Sequence, residues 1–305
     1  MTPAMPPLIF DRAFVPQVGV PEPAAPGIVR VTAPNASAYT FTGTNSFILG
    51  DDPVFLIDPG PDDPVHLEAL ARAIGGRRVE AVVMTHTHKD HSGLAAAAAK
   101  RFSAPLWFAG RHRHSRPLRI SEIDPLADAC DRALVPDRVL ADGDVLELGG
   151  MRIRVVTTPG HCANHAAFAI EGTPVLLSGD HVMGWNSTLV AVPDGSMRDY
   201  LASLDKLLDL PFTTYLPAHG GPIANGPEHT RALAHHRAER NRQIVDLVSA
   251  GPRTLRNLLD IVYPGIPGRN RFAARLTLAA HVEYLADMGA VRQRIGPRGR
   301  EIVAG

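Results

Sequence analysis

Residues 81–93, AVVMTHTHKDHSG, decide how this chain is read. The apolar run stops at Met84, and within a few positions come His86, His88, Asp90 and His91. A continuous apolar run of this kind reads as a strand buried on both faces. Neutral imidazole nitrogens and a carboxylate are the donors preferred by zinc and its neighbours. A strand delivering four of them to one turn therefore points to a metal site, with a solvated polar loop as the competing reading.

Three further segments decide against the loop. RVVTTPGH (154–161) ends in His161, VLLSGD (175–180) in Asp180 and TYLPAH (214–219) in His219. Each is an apolar strand that stops at a turn marked by Gly or Pro and carries one ligand-type residue. Strands delivering such residues at their C-terminal ends can converge on one point. Five histidines and two aspartates exceed the four ligands of a single tetrahedral zinc, and match two metals sharing a bridge.

Read together, THTHKDHSG, PGH, SGDH and PAHGG resemble, in order and spacing, the metallo-β-lactamase-fold hydrolases. The resemblance implies an α/β (α+β) fold, a four-layer αββα sandwich. It also implies that His86, His88 and His161 hold one metal, that Asp90, His91 and His219 hold a second, and that Asp180 bridges them. Two zinc ions are expected, with manganese or iron as substitutes. Ions about 3.5–4 Å apart share a water and bring its pKa towards ~7, so the implied reaction is attack by a metal-bridging hydroxide. Asp90 is the catalytic candidate, as the carboxylate that orients the attacking water. MGWNSTLV (183–190) follows the bridge directly, which makes Trp185, Asn186 and Ser187 candidates for lining the substrate pocket. His165 reads as a buried hydrogen-bonding neighbour of the ligands, His181 as a neighbour of the bridging aspartate or a structural residue, and Cys162 as packing.

The rest of the chain organises around this motif. At 305 residues and 45% apolar, it has enough material for two domains and a sizeable core. Residues 1–26 hold seven prolines, which excludes a helix and disfavours an interior strand, so they are expected to form a surface arm. Residues 27–229 would be the catalytic domain, interrupted by a polar segment, Arg111–Asp137, that reads as a solvated insertion. From about residue 230 the texture changes to three helices and a terminal hairpin, the order of a winged helix. The β-lactamase-like proteins with an appended winged helix resemble this layout, and that group includes an endoribonuclease acting on single-stranded RNA.

Charge and composition narrow the functions without choosing one. The net charge is zero, yet residues 230–305 carry 13 arginines, no lysine and six acidic residues. Arg269, Arg271, Arg275, Arg292, Arg294, Arg298 and Arg300 could contact a phosphate backbone. The alternative is a packing or dimerisation module with a solvated, arginine-rich surface, and its dimerisation form would make the chain a homodimer. Aromatic stacking partners for single strands are sparse there, limited to Tyr263, Phe272 and Tyr284. The leading expectation is a hydrolase of a small ester, thioester, lactone or lactam. A single-strand-specific endoribonuclease is the alternative, and a non-enzymatic metal-sensing DNA-binding regulator comes third. Glutathione-thioester hydrolases share the metal motif, but HVMGWNSTLV departs from their stretch after the bridging aspartate. No run approaches 18 apolar residues, two cysteines cannot build a disulfide framework, and no secretory signal is visible, so no membrane contact and a cytoplasmic location are expected.

Overall fold

The computed structural model describes residues 8–266, 268–296 and 299–305. A seven-stranded sheet runs in chain order through β1 (Pro21–Ala25), β2 (Ile28–Thr32), β3 (Asn45–Leu49), β4 (Val54–Ile57), β5 (Val79–Val83), β6 (Leu106–Phe108) and β7 (Arg138–Val139). Helix α1 (Pro64–Ile74) connects β4 to β5, and α2 (Lys89–Ser92) and α3 (Ala95–Phe102) connect β5 to β6. A five-stranded sheet follows, of β8 (Val145–Leu148), β9 (Met151–Thr157), β10 (Ala166–Ile170), β11 (Val175–Gly179) and β12 (Thr214–Pro217), stacked in reverse order from β12 to β8. Helix α4 (Met197–Leu208) lies between β11 and β12.

Alternation along the strands explains the unbroken apolar runs. Phe47, Phe55, Ile57 and Val83 face Ile153, Val155, Phe168 and Leu177 of the other sheet in one cluster. Their neighbours Ile48, Leu56 and Val82 turn the other way, onto Leu70 and Ile74 of α1 and Ala98 of α3. On the second sheet Ala167, Ala169 and Leu176 meet Tyr200, Leu204 and Leu207 of α4. Both sheets are thus covered twice, giving the expected helix–sheet–sheet–helix layering. Each fully buried large apolar side chain contributes roughly 1.5–3 kcal/mol to this arrangement.

Local chemistry sets the element ends. The Asp63 carboxylate accepts from the Val65 amide to cap α1, and Gly75 closes the helix in a left-handed conformation. Pro21 and Pro23 cannot donate to a sheet ladder, and they sit in the edge strand β1, paired only with β2. The last residues of the proline-rich stretch therefore belong to the sandwich. The polar segment 111–137 is not a free-standing insertion. The Asp131 amide donates to the Thr87 carbonyl, Ser115 donates to Pro193 and Gly195, and Arg116 pairs with both Glu122 and Glu283. These bonds strap the segment across the end of the sandwich that carries Thr87.

The C-terminal part consists of α5 (Gly226–Ser249), β13 (Arg253–Thr254), α6 (Leu255–Val262), α7 (Gly268–Asp287), β14 (Val291–Gly296) and β15 (Gly299–Ala304), with a small sheet ordered β13-β15-β14. Leu233 in the first half of α5 packs with α4 and the second sheet, whereas Ile244 and Val248 pack with Leu258, Leu278 and Val282. One helix thus belongs to two cores, and the boundary expected near residue 230 falls inside it. Arg292, Arg294 and Arg300 are exposed on the hairpin, with Arg294 paired to Glu301, and Arg271 pairs with Asp260. Arg298 and the side chain of Arg269 lie outside the described residues. Among the described residues no helix is long and apolar enough to cross a membrane, and Cys130 and Cys162 are buried and unpaired.

His66 on α1 is buried, with Nε2 2.9 Å from Ser46 Oγ. Burial lowers its pKa from 6.5 to about 4, partly opposed by Asp63. Between those values the unfolded chain binds the extra proton, so the fold loses stability as pH falls through this window. The contribution is on the order of 3 kcal/mol. Denaturant titrations from pH 7 to 4 should give a shallower pH slope for His66→Gln than for the wild type; equal slopes would contradict the assignment.

Candidate metal centre

Strand directions bring the candidate ligands together. β10 runs antiparallel to both β9 and β11, and β11 runs parallel to β12, so β9, β11 and β12 point the same way. His161, Asp180 and His219 follow their C-terminal ends. The two sheets are tied at this edge by the Ala166 amide donating to Thr85 O (2.8 Å) and the Asn45 amide donating to Ala218 O (2.7 Å). The turn before His161 needs Gly160, which has φ +142° and where a Cβ would lie 2.3 Å from Tyr200 Cα. Any side chain there would push the His161 turn away from α4.

All seven candidates meet. His88 Nδ1 lies 3.0 Å from His86 Nε2 and 2.9 Å from His161 Nε2. Four nitrogens around a tetrahedral zinc sit roughly 3.3 Å apart for ordinary zinc–nitrogen distances, so this triad has the spacing of a ligand set. Asp90 Oδ2 is 3.3 Å from His219 Nε2 and 3.7 Å from His91 Nε2. Asp180 joins the two groups, with Oδ1 3.4 Å from His219 and Oδ2 3.5 Å from His91 and 3.6 Å from His161. His91 Nε2, His219 Nε2 and Asp180 Oδ1 are buried with no hydrogen-bond partner among the described residues. Buried polar atoms are rarely left so, and a cation between them satisfies all three.

The other nitrogen of each ring is already committed. His88 Nε2–H donates to Asp194 Oδ2 (2.8 Å), and His91 Nδ1–H donates to Asp58 Oδ2 (3.0 Å). His161 Nδ1–H donates to Leu189 O (2.7 Å) and His219 Nδ1–H to Gly43 O (3.2 Å). The Thr85 hydroxyl gives its proton to Asp58 (2.7 Å), so it accepts from His86 Nδ1–H (3.0 Å). These acceptors select the tautomer in every ring and turn the free lone pair to the shared point, the usual second contact of a metal-bound histidine.

The sequence profile of the metallo-beta-lactamase superfamily matches residues 39–219, the stretch that holds all seven side chains. The chain belongs to the metallo-beta-lactamase superfamily. Its homologues are hydrolases, and it is an enzyme of that kind. The lactamase-like protein vrtG of Penicillium aethiopicum is 30% identical over 243 residues, 79% of this chain and 72% of that protein. The atrochrysone carboxyl ACP thioesterase of Aspergillus chevalieri is 27% identical over 226 residues, 72% of this chain and 65% of that protein. A beta-lactamase domain protein from Burkholderia ambifaria shares the fold, with a TM-score of 0.80 at 23% identity, over 98% of this chain and 97% of that one.

Charge is distributed unevenly within this metallo-beta-lactamase centre. Burial opposes ionisation of Asp180, but His219 and His91 hold its carboxyl well below the usual range. Burial likewise opposes a charge on His88, and Asp194 outweighs it, raising the ring to about 10. His219 rises to about 9 against burial, through Asp180. Burial lowers His161 to about 4, helped by the charge on His88. Metal binding must displace the protons of the raised rings.

Two supporting carboxylates were not singled out by the sequence reading. Asp58 follows β4 at φ +49°, and besides His91 it accepts from the Thr85 amide (2.7 Å). Its context, an apolar strand ending LIDPG, is the same signal that marked His161 and Asp180. Asp194 lies in the irregular stretch VPDGS, which carries no such pattern. His165 takes no part in the cluster: its Nε2 accepts from the Asp180 amide (3.1 Å) and its Nδ1–H donates to Thr158 Oγ1 (2.8 Å). His181 packs on the Tyr200 ring, 4.7 Å between centroids. The Cys162 thiol meets Asn164 Oδ1 at 3.3 Å.

A cavity of about 730 Å³ opens onto the cluster at His88, Asp90, His161 and Asp180. Trp185, Asn186 and Ser187 line it, as do Tyr39, Leu126, Tyr263 and Phe272. Trp185 stacks on Phe41 at 5.0 Å. Asn186 Oδ1 accepts from the Ser187 amide (2.9 Å), so its carbonyl end is engaged locally.

Asp58→Ala and Asp194→Ala each remove the acceptor that fixes one ring. Each should weaken metal retention about 10- to 100-fold, measured by competition with a chromogenic chelator. Retention equal to wild type in both variants would show that the outer carboxylates do not orient ligands.

Proposed function

We propose that this hydrolase is a dinuclear zinc enzyme acting on a small ester, thioester, lactone or lactam. The observation that carries the reading is the cavity on the cluster. Its 730 Å³ lies within the roughly 300–1,000 Å³ of small-molecule sites. Helices α5 and α7 help to wall it, through His236, Arg237, Phe272 and Leu276, which leaves little room for a polynucleotide. Among the candidate bonds, the thioester has the added support of the fungal relative named a thioesterase.

In this reading His86, His88 and His161 would hold one ion and Asp90, His91 and His219 the other, with Asp180 placed between the two groups. Two bound divalent ions supply Lewis acidity and a water acidified towards ~7. The chain supplies the rest. The Asp90 carboxylate, 30% exposed toward the cavity, orients the attacking water by a hydrogen bond. Asp58 and Asp194 keep His91 and His88 from rotating. Trp185, backed by the Phe41 ring stacked on it, forms a flat apolar wall for the acyl or leaving group, with Asn186 and Ser187 beside it. The last segment, in its winged-helix order, is then a structural module whose helices α5 and α7 wall the cavity, in one copy or in a homodimer, and its hairpin arginines lie away from that wall.

A panel tests the proposal. Protein loaded with zinc, manganese or iron is offered a thioester, an aryl ester, a lactone, a chromogenic lactam and labelled single-stranded RNA. At least one small substrate should turn over, stop when a chelator is added and resume with metal. Asp90→Ala should lose about 10³-fold or more in kcat, in line with removal of a principal catalytic group. RNA cleaved faster than every small substrate would replace the proposal with the nuclease reading. Metal-dependent DNA binding without hydrolysis would replace it with the regulator.

A further inference from the structure

Arg237 on α5 is a buried guanidinium with no counter-ion among the described residues. It is 2% exposed, and among the described residues it takes part in no ion pair. One acceptor meets it, the Thr188 carbonyl 2.5 Å from Nη2, and Nε is buried with no partner. The Tyr200 ring lies under the guanidinium at 5.3 Å, which offsets part of the charge. The adjacent His236 and His281 are kept neutral, chiefly by burial and further by Arg237 and Arg240. A buried cation held in this way is costly unless an anion joins it.

The cavity wall is where that anion fits. Arg237 lines the cavity, and so do Arg12 and Lys89. Neither of those two is in an ion pair among the described residues; Arg12 Nε donates to Trp185 O (3.3 Å). The cavity's only carboxylates among the described residues are Asp90 and Asp180, both in the metal cluster. Three unpaired cations therefore face a space in which every acidic group is committed elsewhere. A planar guanidinium matches an oxyanion with two parallel N–H bonds.

We propose that the cavity selects substrates that carry an oxyanion, a carboxylate or a phosphate, in addition to the scissile bond, with Arg237 as its anchor. The proposal deepens the small-molecule hydrolase reading and rests on it for the word substrate, while the anion site itself does not require turnover. Arg237 also holds Thr188, whose hydroxyl donates to the Asp180 carbonyl (2.8 Å), so a test must separate anion binding from support of that loop.

Two measurements do so. In the first, three aryl esters of matched length end in a methyl, a carboxylate or a phosphate. For the wild type, one charged ester should exceed the neutral one about 10- to 100-fold in kcat/KM, mainly through KM, the value of a charge-assisted hydrogen bond. Arg237→Met should collapse that ratio and Arg237→Lys should restore part of it; loss of loop support alone would lower all three esters together and leave the ratio standing. In the second, the melting temperature of metal-free protein is followed with succinate or inorganic phosphate against sodium chloride of equal ionic strength. Succinate or phosphate should raise it in the wild type and not in Arg237→Met. If Arg237→Met does not fold, the wild type and Arg237→Lys decide. No preference for a charged ester and no anion-specific shift in the wild type would overturn the proposal, as would a shift that survives in Arg237→Met. An anion-specific shift without hydrolysis of any ester would retain the site and overturn the hydrolase reading instead.

Discussion

The centre depends on one constraint: each of five imidazoles must keep a bare nitrogen aimed at a common point inside a buried site. A neutral imidazole has one N–H and one lone pair, and nothing intrinsic decides which faces inward. Asp194, Asp58, Thr85, Leu189 O and Gly43 O make that choice by accepting the outward proton. Much of the fold follows from placing these acceptors. The left-handed turn at Asp58, the contact between Gly43 and the loop after β12, and the packing of Leu189 near His161 each bring one acceptor behind one ring.

Those acceptors come from both sheets and their connecting loops, which accounts for the depth of the sandwich. Phe47, Phe55, Val155 and Phe168 hold the sheets face to face, so strand ends from both meet at one rim. Apolar burial thus fixes the positions of groups that it does not touch. The same economy extends to the C-terminal segment. Because α5 packs into both cores, the wall it forms beside the cluster is anchored to the sandwich, and Arg237 reaches Thr188 from there.

The ligand-bearing turns were legible because four apolar strands end in ligands, three of them at a Gly or Pro turn, a local pattern visible without contacts. The sandwich was legible for the same reason: continuous apolar runs imply strands covered on both faces. Asp194 was not legible, since it lies in a loop whose course is set by Ser115 and the segment 111–137. That segment reads as polar and irregular, and its role comes from tertiary bonds such as Arg116 with Glu283 across the chain. The sharing of α5 between two cores was equally hidden, because its apolar positions give no sign of which partner each half meets.

The central claim is that seven side chains from four turns form one site for two ions. Anomalous diffraction from crystals grown with zinc, recorded on both sides of the zinc absorption edge, addresses it directly. The account predicts two peaks about 3.5–4 Å apart, one among His86, His88 and His161, the other among Asp90, His91 and His219, with Asp180 in contact with both. A single peak, or two peaks that Asp180 does not join, would contradict it.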